Sequence, residues 1–278
     1  MKEQNLVVIS DLHCGCQFGL CPPTVTLDGG QIVKQSRAQA AVWAWWVEFW
    51  GQWVPRVTNR QPFDVVINGD IVDGRHHGTT TQISANLADQ AKIAVAVMAP
   101  VAKRARRLYV IRGTEAHVGP AAEEEERLAQ RLGAVQDETG NYSRQELWIQ
   151  VGAWLSHLAH HIGTTNSAAY ESTAVLKELI AQFEDAAQWG ERPPQCVVRS
   201  HRHRCLSVEI PGVAGDMVSV VTPGWQLKTP FAYRLGMGRN SAPQIGGLLI
   251  RQGDEEPHIR KFVRSLPRAR RVQAEGVE

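Results

Sequence analysis

The chain has 278 residues, 43% of them hydrophobic and 21% charged, which excludes a wholly disordered chain and suits one large domain or two small ones. Thirty basic against 28 acidic residues leave a net charge of +2, too little to demand a nucleic-acid partner. No run of about 18 apolar residues exists, so neither a spanning helix nor a membrane partner is expected. The opening MKEQNLVVISDLH lacks the apolar stretch of a secretory signal. Five cysteines, three of them crowded at Cys14, Cys16 and Cys21, do not make a complete disulfide framework. They fit a reducing cytoplasm, and their Cys-x-Cys-x4-Cys spacing reads as buried or loop thiols rather than a zinc site.

In chain order, Leu6 to Ser10 (LVVIS) is apolar on both faces and reads as a buried strand. Residues 14 to 35 carry Gly, Pro and Cys without a period and read as a loop. Ser36 can cap a helix running to about Thr58. Within it Trp43, Trp46, Trp50 and Trp53, spaced by three and four, form one aromatic face, expected to be core. Asp64 to Asn68 is a second buried strand, Ser84 to about Arg106 an amphipathic helix, and Leu108 to Arg112 a third strand. Strand and helix in alternation predict parallel pairing in an α/β sheet. Glu123 to Glu126 open a further helix, where acidic residues complement the helix dipole and are read as structural.

From Gln145 the pattern changes. LWIQV and WLSHLAHH flank Gly152 as a hairpin, and residues 167 to 189 are helical by pattern. Strands are predicted near 196–199, 205–210, 217–222, 245–251 and 258–263, richer in antiparallel signals. No internal repeat is present. One domain is expected over residues 1–265, followed by a basic, flexible tail at 266–278.

Acid and imidazole groups gather at strand exits. Asp11 and His13 follow the first strand, Asp70 and Asp73 the second, and Glu115 and His117 the third. The carboxyl ends of strands in such a sheet share one edge, where ligands bind. The second half adds His160 and His161 after WLSHLA, and His201 and His203 after CVVR, two apart and so on one side of an extended segment. Imidazole with carboxylate suits Mn, Fe, Zn, Co or Ni rather than Ca. The donors outnumber the needs of one structural zinc. A pair of metals sharing a carboxylate uses them more naturally, clamping a phosphate and supplying bound hydroxide near neutral pH.

Taken together, Asp11-Leu12-His13, Gly69-Asp70-Ile71-Val72-Asp73, the GTEAHVG segment from Gly113 to Gly119, His160-His161 and Ser200-His201-Arg202-His203 resemble the calcineurin-like metallophosphoesterases, in a form most like phage and prophage members. The resemblance covers about residues 6 to 204. It implies a four-layer α/β/β/α sandwich with a dinuclear metal site at the strand C-terminal ends. Residue by residue, it implies that Asp11, His13 and His203 hold one metal, His160 and His201 the other, and Asp70 bridges them. His117 would be the acid histidine and Asp73 a residue orienting it or another site group. Two departures stand out. The family's Gly-Asn-His-Glu or Gly-Asn-His-Asp is absent, so Glu115, or less well Thr114, would replace its Asn. Ser200 stands where Gly usually precedes His-x-His. His160 is favoured over His161 as ligand.

The expected activity is that of a metal-dependent phosphoric ester hydrolase. The expected cofactors are two divalent ions, Mn first and Fe, Zn, Ni or Mg as alternatives. Arginine outnumbers lysine, and Lys228 and Arg234 lie near Trp225 and Phe231; both tilt the expected substrate toward phosphodiesters, nucleic acid or nucleotides, including nuclease action. Arg75, His76, His77 and Arg112 are further candidates for substrate contact, since guanidinium groups suit phosphate oxygens. Phosphomonoesterase or phosphoprotein phosphatase action is the first rival. A non-catalytic metal-binding module is the second. Oligomeric state is not legible.

Overall fold

The computed structural model describes residues 4–76, 78–163, 168–212, 215–234, 243–253 and 256–265. Strand β1 (Gln4–Ile9) is followed by a short ribbon, β2 (Thr24–Thr26) and β3 (Ile32–Lys34). The ribbon lies in the stretch expected to be loop. Three-residue strands carry too little pattern to show, although Asp28-Gly29-Gly30 between them is a turn signal. Helix α1 (Arg37–Glu48) starts at a capping box, with Ser36 Oγ accepting from Gln39 N–H at 3.2 Å and Gln39 Oε1 accepting from Ser36 N–H at 3.0 Å. It runs through a π-helical turn, Phe49–Trp53, into α2 (Val54–Val57). The wider turn brings both Phe49 and Trp50 to the core side together with Trp53. Trp46, Trp50 and Trp53 are buried, and Trp43 is half-buried against the same core. Phe49 and Trp53 stack at 5.1 Å, so the aromatic face is core, as its spacing predicts.

Strand β4 (Asp64–Asn68), helix α3 (Leu87–Ala102) and strand β5 (Leu108–Ile111) continue the alternation. Helix α3 begins at Leu87 rather than Ser84, capped by Asn86, which accepts from Ala88 N–H at 3.0 Å, while Ser84 donates to Asp89 at 2.6 Å. Short α4 (Glu115–Val118), helix α5 (Glu123–Leu132) and β6 (Ser143–Arg144) follow. Then come β7 (Glu146–Val151), β8 (Trp154–Ala159), α6 (Glu171–Trp189), β9 (Cys196–Arg199), β10 (Leu206–Ile210), β11 (Met217–Val221), α7 (Pro230–Arg234), β12 (Gln244–Gln252) and β13 (His258–Ser265).

Besides the β2-β3 ribbon, the described residues form two sheets, in the orders β13-β12-β1-β4-β5-β6 and β10-β11-β9-β8-β7. β1, β4 and β5 pair in parallel as predicted. In the second half, β7–β8 and β10–β11 are antiparallel, but β8–β9 and β9–β11 are parallel. The hairpin β12–β13 leaves that sheet and joins the first one, β12 antiparallel to β1. Sequence patterning shows strands, not which distant partner each one finds.

Alternation along the strands divides the core. Val7, Ile9, Val65 and Ile67 pack with Val42, Trp46, Phe49, Ile93, Val97 and Leu128 from α1, α3, α5 and the π turn. Leu6, Val8, Val66 and Ile111 face Leu147, Leu158, Val198 and Val220 of the second sheet. Val175 of α6 closes the far side against Val221, Leu206 and Val208. The layers are therefore α/β/β/α, the architecture the sequence motifs imply. Each fully buried Leu, Ile or Phe in these layers stabilises the fold by about 1.5–3 kcal/mol. Among the described residues no helix is long and apolar enough to cross a membrane.

Candidate metal centre

The exits of β1, β4, β5, β8 and β9 converge. Asp11 and His13 leave β1, Asp70 and Asp73 leave β4, Thr114 to His117 follow β5, His160 and His161 follow β8, and His201 and His203 follow β9. Their ligand atoms gather in four groups, each within 4.8 Å: Asp11–His13–His203, Asp11–Asp70–His160, His160–His161–His201 and His13–Asp73–His117.

The distances show how closely these groups interlock. His203 Nε2 lies 3.2 Å from Asp11 Oδ1 and 3.3 Å from His13 Nε2. His160 Nε2 lies 3.1 Å from Asp70 Oδ2. His13 Nε2 and His117 Nε2 each lie 4.0 Å from the same oxygen, which puts Asp70 at the centre. His160 Nδ1–H donates to the Asn68 carbonyl at 2.7 Å. That bond fixes the tautomer and leaves Nε2 as the inward nitrogen. His161 is exposed, its ring 5.1 Å from that of His160.

The backbone at these positions is unusual. Among the described residues eight non-glycine positions have positive φ, and five of them are Asp11, His13, Asp70, His201 and His203. The left-handed region costs a side-chain-bearing residue roughly 1–3 kcal/mol and concentrates at functional sites. Gly69, at φ +85°, is required for a second reason: a Cβ there would collide with the His160 ring.

Beneath the ligands runs a buried chain of small polar groups. Ser10 Oγ donates to Asp11 Oδ2 at 2.5 Å and lies 2.6 Å from Thr222 Oγ1. Thr222 lies 2.8 Å from Ser200 Oγ, which accepts from Asn68 Nδ2 at 2.6 Å. Ser200 thus ties the two sheets together below the site. Ser10, Asn68 and Thr222 are strand-end residues whose part in the site the sequence did not reveal, because hydroxyls and amides are common there.

Electrostatics follow from crowding. Burial opposes ionisation of Asp70, Asp11 and Asp73, yet facing imidazoles hold all three low: His160 for Asp70, His203 for Asp11, and hydrogen bonding to His13 and His76 for Asp73. Burial and the neighbouring His160 lower His201 to about 4. Burial, then His13, lowers His117 to about 4. His117 Nδ1–H donates to the Asp73 carbonyl at 2.6 Å, so the neutral ring turns the Nε2 lone pair toward Asp70. The Asp73 carboxylate lies within 4.8 Å of His117, but the hydrogen bond from His117 goes to the Asp73 carbonyl. The carboxylate oxygens take Gln82 at 3.0 Å and Gln226 at 3.3 Å, with His13 Nδ1 at 3.4 Å and His76 Nε2 at 3.6 Å. Gln82 and Gln226 were not singled out in the sequence, and no local signal marks them.

The other candidates are placed as follows. Glu115 is exposed and belongs to none of the four groups. The Thr114 hydroxyl lies 3.2 Å from Asp70 Oδ2, 3.2 Å from His201 Nδ1 and 3.4 Å from His160 Nε2. Starting α4 at Glu115 turns that side chain outward and leaves Thr114 at the junction. Arg75, His76, Glu115, His117 and Arg127 line a cavity of about 570 Å³ on the flank of the site. Arg75 also donates to the Ala85 carbonyl. Arg112 is drawn away, donating to Ser143 Oγ at 3.0 Å beside Glu126. Lys228 sits over the Tyr233 ring at 4.3 Å, and Trp225 is core. His77, the 266–278 tail and the side chains of Phe231 and Arg234 lie outside the described residues. Cys14, Cys16 and Cys21 are buried and free, belong to none of the four groups, and burial raises Cys16 to about 12 and Cys21 to about 11.

The donors fit divalent cations. Asp11 Oδ1 is buried without a hydrogen-bond donor, although the His203 nitrogen is within 3.2 Å. Carboxylate and imidazole atoms that converge on one centre are placed as ligands are. No protein-family model matches the chain, and no curated protein matches its sequence. Among solved structures it is similar to vacuolar protein sorting 29 from Cryptosporidium parvum, at 9% identity and a TM-score of 0.44, over 95% of this chain and 99% of that one. It is also similar to a metallophosphoesterase from Sphaerobacter thermophilus, at 10% identity and 0.41, over 93% and 88%.

Proposed function

We propose that the protein is a dinuclear metal-dependent phosphoesterase acting on phosphodiesters, either nucleic acid or nucleotides. The observation that carries this is the convergence of Asp11, His13, Asp70, His160, His201 and His203, most of them on strained backbone, around the central Asp70 carboxylate. Asp11, His13 and His203 would hold one divalent ion, His160 and His201 the second, and Asp70 both. When bound, such a pair supplies Lewis-acid activation of water and neutralises phosphate charge.

The chain's own groups do the rest. Asn68 O, through His160 Nδ1, and Ser10, through Asp11, hold ligands in place before metal arrives. Asp73 faces His13 Nδ1 and accepts from Gln82 and Gln226, fixing the exit of β4. His117, anchored through Nδ1, presents Nε2 to the site. A phosphate anion beside that ring would raise its affinity for a proton; the ring would take one from solvent and pass it to the leaving oxygen, returning to the neutral form. The cavity beside His117, with Arg75 and Arg127 on its wall, has room for a substituent on the phosphate, which supports a diester with a sizeable group.

The test is hydrolysis of bis-p-nitrophenyl phosphate against p-nitrophenyl phosphate with Mn²⁺ present, followed by a screen of nucleic acids and nucleotides. Faster diester turnover is expected. Monoester preference would move the substrate class to phosphomonoesters. Metal uptake with neither activity would leave a metal-binding module.

A further inference from the structure

Glu125, in the first turn of α5, is fully buried and belongs to none of the ligand groups. Its two oxygens are used separately. Oε1 accepts from the Ile71 N–H at 3.1 Å, and Oε2 accepts from the Gly113 N–H at 2.6 Å. Ile71 directly follows Asp70, and Gly113 directly precedes Thr114. The two loops also touch each other: Thr114 N–H donates to Asp70 Oδ1 at 2.7 Å, and a Cβ on Gly113 would collide with Asp70. One buried carboxylate therefore joins the exits of β4 and β5 where the central ligand is built.

The helix itself does not need this residue. Its dipole is served by Glu123, Glu124 and Glu126, and Glu126 clasps a different segment, accepting from Tyr142 and Ser143 N–H at 2.8 Å each. Burying a carboxylate on backbone amides rather than on a cation is costly, and burial with the charge on Asp70 raises Glu125 to about 7. A hydrophobic residue would fill the space more cheaply if filling were the only task.

We infer that Glu125 is a positioning residue, which holds the β4 and β5 exits together so that Asp70 and Thr114 stand ready for metal; this rests on the metal centre proposed above. Glu125→Gln tests it. Glutamine keeps the size but has one acceptor oxygen, so its NH₂ must face one of the two N–H groups. Hydrogen exchange at the Ile71 and Gly113 amides of the metal-free full chain should quicken by roughly tenfold or more, with the β1 amides unchanged. Calorimetric Mn²⁺ affinity should fall about 10–100-fold, as for lost outer partners of metal ligands. On bis-p-nitrophenyl phosphate, kcat should fall more than KM changes. Glu125→Asp, which keeps two acceptors, should recover part of each loss, and carries the same readouts if the glutamine variant does not fold.

Unchanged exchange at both amides overturns the inference. So does quickened exchange with unchanged Mn²⁺ affinity, which would make Glu125 a packing residue alone. A wild-type chain that takes up no Mn²⁺ refutes the metal centre and, with it, the metal-positioning role; the exchange rates then report only loop holding.

Discussion

Two clusters of imidazole and carboxylate lie near one another and differ in kind. On the face of the second sheet turned away from the first, His157 lies 2.8 Å from Glu146 and 3.3 Å from Arg199, and Arg199 bonds Glu178 at 2.9 Å. Trp148 stacks on His157 at 4.3 Å. Every charge there has an opposite charge or a carbonyl, and the residues ride on regular strands. At the strand exits, by contrast, acids and imidazoles face each other around a common centre on left-handed backbone, with Asp11 Oδ1 turned to His203 at 3.2 Å. Residue type does not separate a structural network from a ligand site. Backbone conformation and convergence on a shared oxygen do.

Disabling the central oxygen breaks that contrast most severely. Asp70→Asn should lower diester turnover by ~10³-fold or more, several kcal/mol of lost charge stabilisation, and weaken Mn²⁺ uptake at both positions. Unchanged metal content and turnover in this variant would remove Asp70 from the centre. His117→Ala sharpens the contrast between ligand and acid. As acid it should cost roughly 10²–10⁴-fold with both metals retained, and less with p-nitrophenolate as leaving group. Metal loss, with equal damage across leaving groups, would assign it to the shell with His13 and Asp73 instead.

Acidity gives a milder test. Burial disfavours the charged form of His160, but Asp70 pushes its pKa up to about 10 in the metal-free protein, above the ordinary 6.5. Its contribution to stability is thus complete below pH 6.5 and lost as pH rises through about 10. Metal must displace that proton. The metal-free melting temperature attributable to this pair should fall from pH 6.5 to 10 while Mn²⁺ affinity rises; an affinity flat over that window would contradict it. The outer network should respond oppositely to mutation. Glu178→Ala, which strands Arg199, should cost about 1–3 kcal/mol in denaturant unfolding. Its Mn²⁺ affinity should stay within about twofold of wild type.

Much of this was legible in the sequence because the ligands sit directly after apolar runs. LVVIS, DVVIN and CVVR announce buried strands, and the acids and histidines behind them announce a shared edge. Aromatic spacing located the core face of the first long helix. What stayed hidden depends on distant packing. The return of β12 to β1 has no local signature. Glu115 looked the better donor by chemistry, but the first turn of α4 swings it out and leaves Thr114 at the junction. Glu125 read as one of four equivalent acids, since only the folded loops distinguish its amide partners from those of Glu126.

The left-handed backbone at Asp11, His13, Asp70, His201 and His203 also bears on how such a chain ages. Each of these positions would be more comfortable as glycine, which pays little for that conformation. Glycine there relieves the backbone but strands buried partners, the Thr114 N–H and His160 at Asp70 and the Ser10 hydroxyl at Asp11, so the two effects oppose each other. A gene copy released from selection for chemistry should therefore turn to glycine or asparagine first where little buried pairing is lost, and hold Asp70, whose loss strands His160 and the Thr114 N–H, the longest.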